Sequence, residues 1–521
     1  MYLSDPTAHD ERYDVIVVGA GAVGITLAVS LSRAGKAVLL LDSGAETPGD
    51  AASLNAATVD GRKHDGILHG RGRVIGGTTT LWGGQLAEFI PYDFNARSIR
   101  TDSAWPIGFE QVKPYYSKAA QLLDLDPQFS SDDTLRSHLK WKLSTNETEC
   151  EIFFTRWLRE ANLARYFDTD LRDGKRLFVA PSCHVTDLLC EHDESIISGV
   201  RVRRPDLRTH EFKAGAVVLA CGTIEISRLL LLIRLKQPQL SWALNPHIGK
   251  YFQDHLDMTI GNVIIEDERL FRDHFDNVLL HGLKYQPKVR LTQRCMERHE
   301  VLAVAGSIAF DSSQDIELLR IALRSLRRGS VDLSYWKAFR VLLKQFRVLA
   351  PLAWRYLRHR RVAGIATRGI RVIAHCEQRP MITSTIGLDS DRQDMFGDPV
   401  ARLHWVVDTE LQWRTFRQFA ISLDRFMREN LGARLSVRSD LLSGEESLSE
   451  SYDSYHQCGG ARMANSQESG VVNPDCRVFG TNNLYVAGAA VFPSSSYANP
   501  TYTALALALR LAEHLESATS V

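Results

Sequence analysis

The stretch from Tyr13 to Asp42, YDVIVVGAGAVGITLAVSLSRAGKAVLLLD, constrains this chain more than any other. An apolar run from Val15 to Val18, a glycine-rich turn, a helical segment ending at Gly35 and a second apolar run from Val38 to Leu41 spell a βαβ unit. Gly19, Gly21 and Gly24 stand in the G-x-G-x-x-G spacing. That spacing allows a tight turn, a close approach of a pyrophosphate to the backbone, and close packing of helix on strand, while the helix N-terminus offers free N–H groups to the anion. Asp42, followed by Ser43, closes the second strand, where a carboxylate accepts ribose hydroxyls. The unit predicts a dinucleotide site and by itself leaves FAD and NAD both open.

A chain of 521 residues is too long for one ordinary core and predicts two or three domains with room for a site between them. Lys plus Arg and Asp plus Glu number 62 each, so no global field draws in nucleic acid. The eight cysteines show neither a CxxC pair nor metal-ligand spacing, which reads as scattered reduced thiols and no metal. The N-terminal residues lack a basic segment followed by an apolar one, and no run of 18 apolar residues occurs, so the expectation is a cytoplasmic protein.

From Gly70 to Leu86, GRGRVIGGTTTLWGGQL predicts neither helix nor regular strand but a backbone able to lie flat against a planar group. Its candidate cofactor contacts are Arg73, Gly77, Thr78, Trp82 and Gly83, and Leu81 with Trp82 argues against a solvent loop. A β-rich segment from Leu177, with Val185 as a further candidate contact, ends in AVVLACG at Gly222 before a helix from Glu225. Residues 257–448 alternate in the manner of antiparallel strands and carry a long helix from Asp408 that stops before Gly432. In the tail, a strand runs into Gly488 and Ala489, and Asn499 precedes Pro500 and Thr501 at the start of an apolar helix. Three distant segments thus end in glycine junctions that could meet on one cofactor.

Residues 318–372 carry fourteen Lys or Arg against one acidic residue, Asp332. At 3.6 residues per turn, Lys337, Arg340, Lys344 and Arg347 share one face, with Phe339, Leu342, Leu343, Phe346 and Leu349 opposite. Three readings stand side by side: a solvated face of a packed helix, a peripheral membrane contact, or a collector of anionic ligands. Trp354 and Tyr356 in a second basic helix lean toward the membrane.

GAGAVG, GGTTTLWGG, AVVLACGTIEISRLLL, IGKYFQDH, HQCGGARM and ANPTYT together resemble the glucose-methanol-choline (GMC) oxidoreductases, in their pyranose-oxidase-like and bacterial sugar-dehydrogenase branch. The match covers the N-terminal third and the last seventy or so residues, and is only a general pattern in the middle. It implies an α/β fold: a Rossmann-like FAD-binding domain assembled from 1–125, 172–256 and 449–521, and a substrate domain of antiparallel sheet plus helices from 126–171 and 257–448, with 318–372 inserted. It implies FAD, with His456 and Asn499 as the catalytic pair, and oxidation of an alcohol group of a sugar or polyol-like substrate by hydride transfer to flavin N5. Oxidation of a non-sugar alcohol, and a redox-silent lyase of the hydroxynitrile type, remain as alternatives. So does the acceptor: oxygen, a quinone or another.

These residue types suit that chemistry. A neutral imidazole at His456 can take the hydroxyl proton, and an amide at Asn499 can donate to the developing alkoxide. Two positions depart from the branch. Leu81 stands before Trp82 where covalent-flavin members carry histidine, so the FAD is expected to be non-covalent, and Gly83 replaces a threonine near flavin N5.

Overall fold

The computed structural model describes residues 1–3, 12–47, 49, 51–99, 103–141, 148–312, 354–356, 360–362, 364, 366, 368–443 and 447–518. A seven-stranded sheet organises the first half. Its order runs Leu177–Ala180, Val38–Leu41, Arg12–Val18, Thr209–Leu219, Ile197–Arg203, His184–Cys190, and Leu484–Val486 takes the remaining edge of Thr209–Leu219. The strands around Arg12–Val18 are parallel and buried on both faces, which is why they read as unbroken apolar runs. Glycines then decide how close the helix Ala22–Arg33 can come. Gly19 has φ +109°, and a Cβ on Gly24 would lie 1.8 Å from the Gly19 carbonyl oxygen. Val18, Leu219 and Val486 all end at the same rim, so the three glycine junctions converge where open α/β sheets bind ligands.

A ten-stranded sheet forms the second layer, in the order Arg361–Val362, Asn277–Leu280, Leu283–Leu291, Val304–Asp311, Gly369–Cys376, Leu256–Ile265, Ala433–Val437. Cys150–Trp157 pairs with Leu283–Leu291 over eight residues. The helix Thr409–Asn430, capped by the Asp408 carboxylate on the Leu411 N–H, packs Phe416, Phe419 and Leu423 against one face. Gly306 and Val372 point at Phe419, so by the period of two the residues between, Ser307 and His375, point the other way. On the neighbouring strand Val289 pairs with Gly306, which turns Lys288 and Arg290 toward that same second face.

The layout differs from the sequence-based expectation in particulars. Pro399–Trp405, read as part of an antiparallel block, also pairs in parallel with Ala57–Gly61 from the N-terminal segment, because its other edge is left open by Thr385–Gln393. The helix expected from Glu225 begins at Thr223. Leu81, expected to be buried, is 60% exposed, while Trp82 turns inward and its indole N–H donates to the Ala161 carbonyl at 2.7 Å. The basic amphipathic helix through Lys337, Arg340, Lys344 and Arg347 lies outside the described residues. Trp354 and Tyr356 are described and exposed. Among the described residues no helix is long and apolar enough to cross a membrane. All eight cysteines are unpaired thiols.

Candidate active site

A cleft of about 1520 Å³, counting its open mouth, runs along the rim of the seven-stranded sheet. It is lined by Gly19, Gly21, Asp42, Ser43, Arg73, Gly77, Thr78, Trp82, Val185, Gly222, Gly488, Ala489, Pro500, Thr501 and His456. Two further expected residues do not line it. Gly24 is spent on the close packing already described, and Gly83 is exposed, with the Trp157 ring 2.7 Å from where its Cβ would stand. Asn499 reaches the site through His456.

The cleft fits a dinucleotide on its own geometry. Gly21 caps the helix Ala22–Arg33 without a side chain, and a Cβ there would project into open space, so bare N–H groups face the cleft. Asp42 is held in place by the N–H groups of Ala20 and Gly44, both at 2.7 Å. Burial pushes its carboxyl up while those bonds and Arg73 pull it down, and each oxygen keeps a lone pair for a hydroxyl. Arg73 donates to Ser43 Oγ at 3.0 Å and pairs with Glu225 at 2.8 Å; Arg71 joins the same carboxylate at 2.7 Å. Burial would raise Glu225, but Arg73, Arg228 and Arg71 hold it well below the usual carboxylate range. Three guanidinium groups, those of Arg71, Arg73 and Arg228, thus gather on one carboxylate in the cleft wall, a feature that no local motif announced.

At the far end of the cleft the two expected catalytic residues meet: Asn499 Nδ2 is 3.2 Å from His456 Nε2. An amide nitrogen only donates, so Nε2 accepts and the neutral ring carries its hydrogen on Nδ1. That N–H meets His255 Nδ1 at 3.0 Å, and His255 Nε2 in turn donates to the Ser495 carbonyl at 3.3 Å. One tautomer satisfies the whole chain. Asp254, next to His255, accepts the His456 backbone N–H at 2.8 Å and bonds His64 Nε2 at 3.0 Å, which pins the loop that carries His456. Sequence reasoning used IGKYFQDH only as a likeness and assigned His255 and Asp254 no part. Their signal was a pair of ionisable residues immediately before the strand Leu256–Ile265, and both are fully buried.

Burial first, then His255, holds the His456 imidazole well below its ordinary value of 6.5, and burial does the same to His255. The imidazole is thus neutral at physiological pH. The expected kcat/KM profile stays flat from mildly alkaline pH down through 6.5; a fall centred on 6.5 would contradict the burial argument. Stability moves the same way. Below 6.5 the unfolded chain binds a proton that folded His456 refuses, so this residue subtracts stability as pH falls from 6.5 toward its folded value, and none above.

Comparison with known proteins matches residues 380–508 to a family described as GMC oxidoreductase, and residues 17–72 to the NAD(P)-binding Rossmann-like domain. A 2-methyl-1,2-propanediol dehydrogenase of Mycolicibacterium austroafricanum is 21% identical over 98% of this chain and 96% of its own. A C-glycoside 3-oxidase of Arthrobacter globiformis is 33% identical over 26% of this chain and 25% of its own. Among solved structures, a formate oxidase of Aspergillus oryzae, described for the modification of its FAD, aligns with a TM-score of 0.58 at 16% identity, covering 98% of this chain and 99% of that one. A pyridoxine 4-oxidase aligns with a TM-score of 0.58 at 17% identity over 96% and 99% of the two chains. The two structures share the fold.

Proposed function

We propose that this chain, whose residues 380–508 match the GMC oxidoreductase family, is an FAD-dependent enzyme of that family and oxidises a hydroxyl group of a sugar or polyol-like substrate with a non-covalent FAD. The observation that carries it is the Asn499–His456–His255 chain at the end of a dinucleotide cleft. FAD, when bound, supplies the two-electron acceptor for the carbinol hydride. His456 Nε2, kept neutral by its depressed basicity, takes the hydroxyl proton once the substrate oxygen replaces it as acceptor of the Asn499 amide. Asn499 Nδ2 then donates to the oxygen as negative charge develops, without competing for that proton. The helix starting at Pro500 directs unpaired N–H groups and its positive end into the cleft beside them.

The polyhydroxy reading draws support from the sheet face opposite the Thr409–Asn430 helix. Gln85, Thr155 and Gln286 lie there as one hydrogen-bonded group, with Gln85 Nε2 donating to Thr155 Oγ1 at 2.7 Å and to Gln286 Oε1 at 3.2 Å. Such groups match several hydroxyls rather than an aliphatic chain. Two relatives are named for sugar-derived compounds, the C-glycoside 3-oxidase and the paromamine 6'-oxidase. For the non-covalent cofactor, Leu81 offers no nucleophilic atom beside Trp82. Anaerobic titration with sugars, polyols and simple diols should bleach the flavin absorbance, and reoxidation by oxygen against a quinone assigns the acceptor. Bleaching by diols alone would remove the sugar; cyanohydrin cleavage with an unbleached flavin would replace oxidation altogether.

A further inference from the structure

Lys288 sits in the middle of Leu283–Leu291 and is 7% exposed, yet it forms no hydrogen bond or ion pair with any described residue. Lysines are seldom buried without a partner, because an ammonium loses its hydration and receives nothing in return. The other charges on this face are matched. Arg290 is held by Glu151 at 2.7 Å and by the Tyr497 hydroxyl. Asp257 accepts from the Ser454 hydroxyl and bonds His375 Nδ1 at 2.8 Å, with His375 Nε2 closed off by Ser307 at 2.7 Å. Lys288 therefore presents unbonded N–H donors on the face turned away from the covering helix, with the Asp257 carboxylate near enough to favour its charge without bonding it, and with His456 near enough to feel it. Burial, working against the pull of the Asp257 carboxylate, brings its ammonium down to about 8, which still leaves it charged at neutral pH.

We propose that Lys288 is the binding point for a carboxylate carried by the substrate, so that the alcohol oxidised belongs to a sugar acid or related polyhydroxy acid. A single ammonium with no hydrogen-bond acceptor calls for one, and a single positive charge suits a monoanion. A dianionic phosphate would leave excess negative charge in the same dry site, facing Asp257. The amides of Gln85 and Gln286 and the hydroxyl of Thr155 on the same face would take the neutral hydroxyls. This deepens the function proposed above and rests on it for the identity of the reacting group, but the carboxylate site can be tested without turnover.

The test compares gluconate with glucitol, which differ at one carbon, by calorimetric binding to the holoenzyme under anaerobic conditions, alongside Lys288→Met and Lys288→Arg. The wild type should bind gluconate at least about tenfold more tightly than glucitol, the order expected for one buried charge-assisted contact. Lys288→Met should erase that preference, and Lys288→Arg should keep most of it. Equal binding of the two compounds by the wild type, no binding of either, or an undiminished preference in Lys288→Met each overturns the proposal. Failure of the function reads differently. If gluconate binds through Lys288 and no alcohol bleaches the flavin, oxidation is wrong and the carboxylate site stands; if glucitol bleaches it and acids gain nothing, the reverse holds.

Discussion

Replacing His456 by alanine should lower kcat by about 100-fold or more, with a similar fall in kcat/KM and unchanged flavin content. The ring is the group at the end of the cleft with a nitrogen, Nε2, set to take a proton, and its neutrality is built in by burial and by His255. Alanine removes the proton acceptor, and the carbinol must then lose its proton to water. Both parameters fall together because the proton moves only as the hydride leaves, so the interaction exists in the transition state and not before. Rapid mixing of oxidised enzyme with substrate in the absence of oxygen reads the flavin bleaching rate directly. An unchanged rate would take His456 out of the mechanism.

The second large effect is on stability. Arg97 joins two fully buried carboxylates, Asp93 at 3.0 Å and Glu377 at 2.8 Å, with its own side chain 2% exposed. Arg97→Met takes away the guanidinium that both share, and breaking a buried pair from one side costs on the order of 3–5 kcal/mol. By contrast Arg33 pairs with Asp170 at the surface, where loss of the pair should cost at most about 1 kcal/mol. Urea unfolding of the two variants should therefore give a clearly lower midpoint for Arg97→Met and one close to wild type for Arg33→Met. Activity should follow the first. Asp93 also accepts from the Ser496 hydroxyl at 2.7 Å, three residues before Asn499, so loosening it releases the turn that aims the amide at His456. Equal midpoints for both variants would show that Arg97 is not holding the segments of Asp93 and Glu377 together.

What the sequence determined by itself is local. Gly19, Gly21 and Gly24 act on one another within six residues, so the turn, the bare helix end and the close packing follow from their spacing wherever the rest of the chain goes. The helix expected from Asp408, which begins at Thr409 with Asp408 as its cap, and the one begun by Pro500 were legible for the same reason. The pairing of His456 with Asn499 came from motif likeness, and their contact then follows from a short tail segment. The tertiary structure alone decided the rest. His255 lies 201 residues from the histidine it orients, and nothing in its own neighbourhood says so. Lys288 turns away from the covering helix because Val289 pairs with Gly306; a slip of one residue would have sent it to that helix instead. Leu81 shows the converse, an apolar residue whose hydrophobicity argued for burial while the turn around Gly77–Thr80 points it outward. Spacing governs what neighbours in the chain can do, whereas strand register and the meeting of distant segments set which side chains share a cavity.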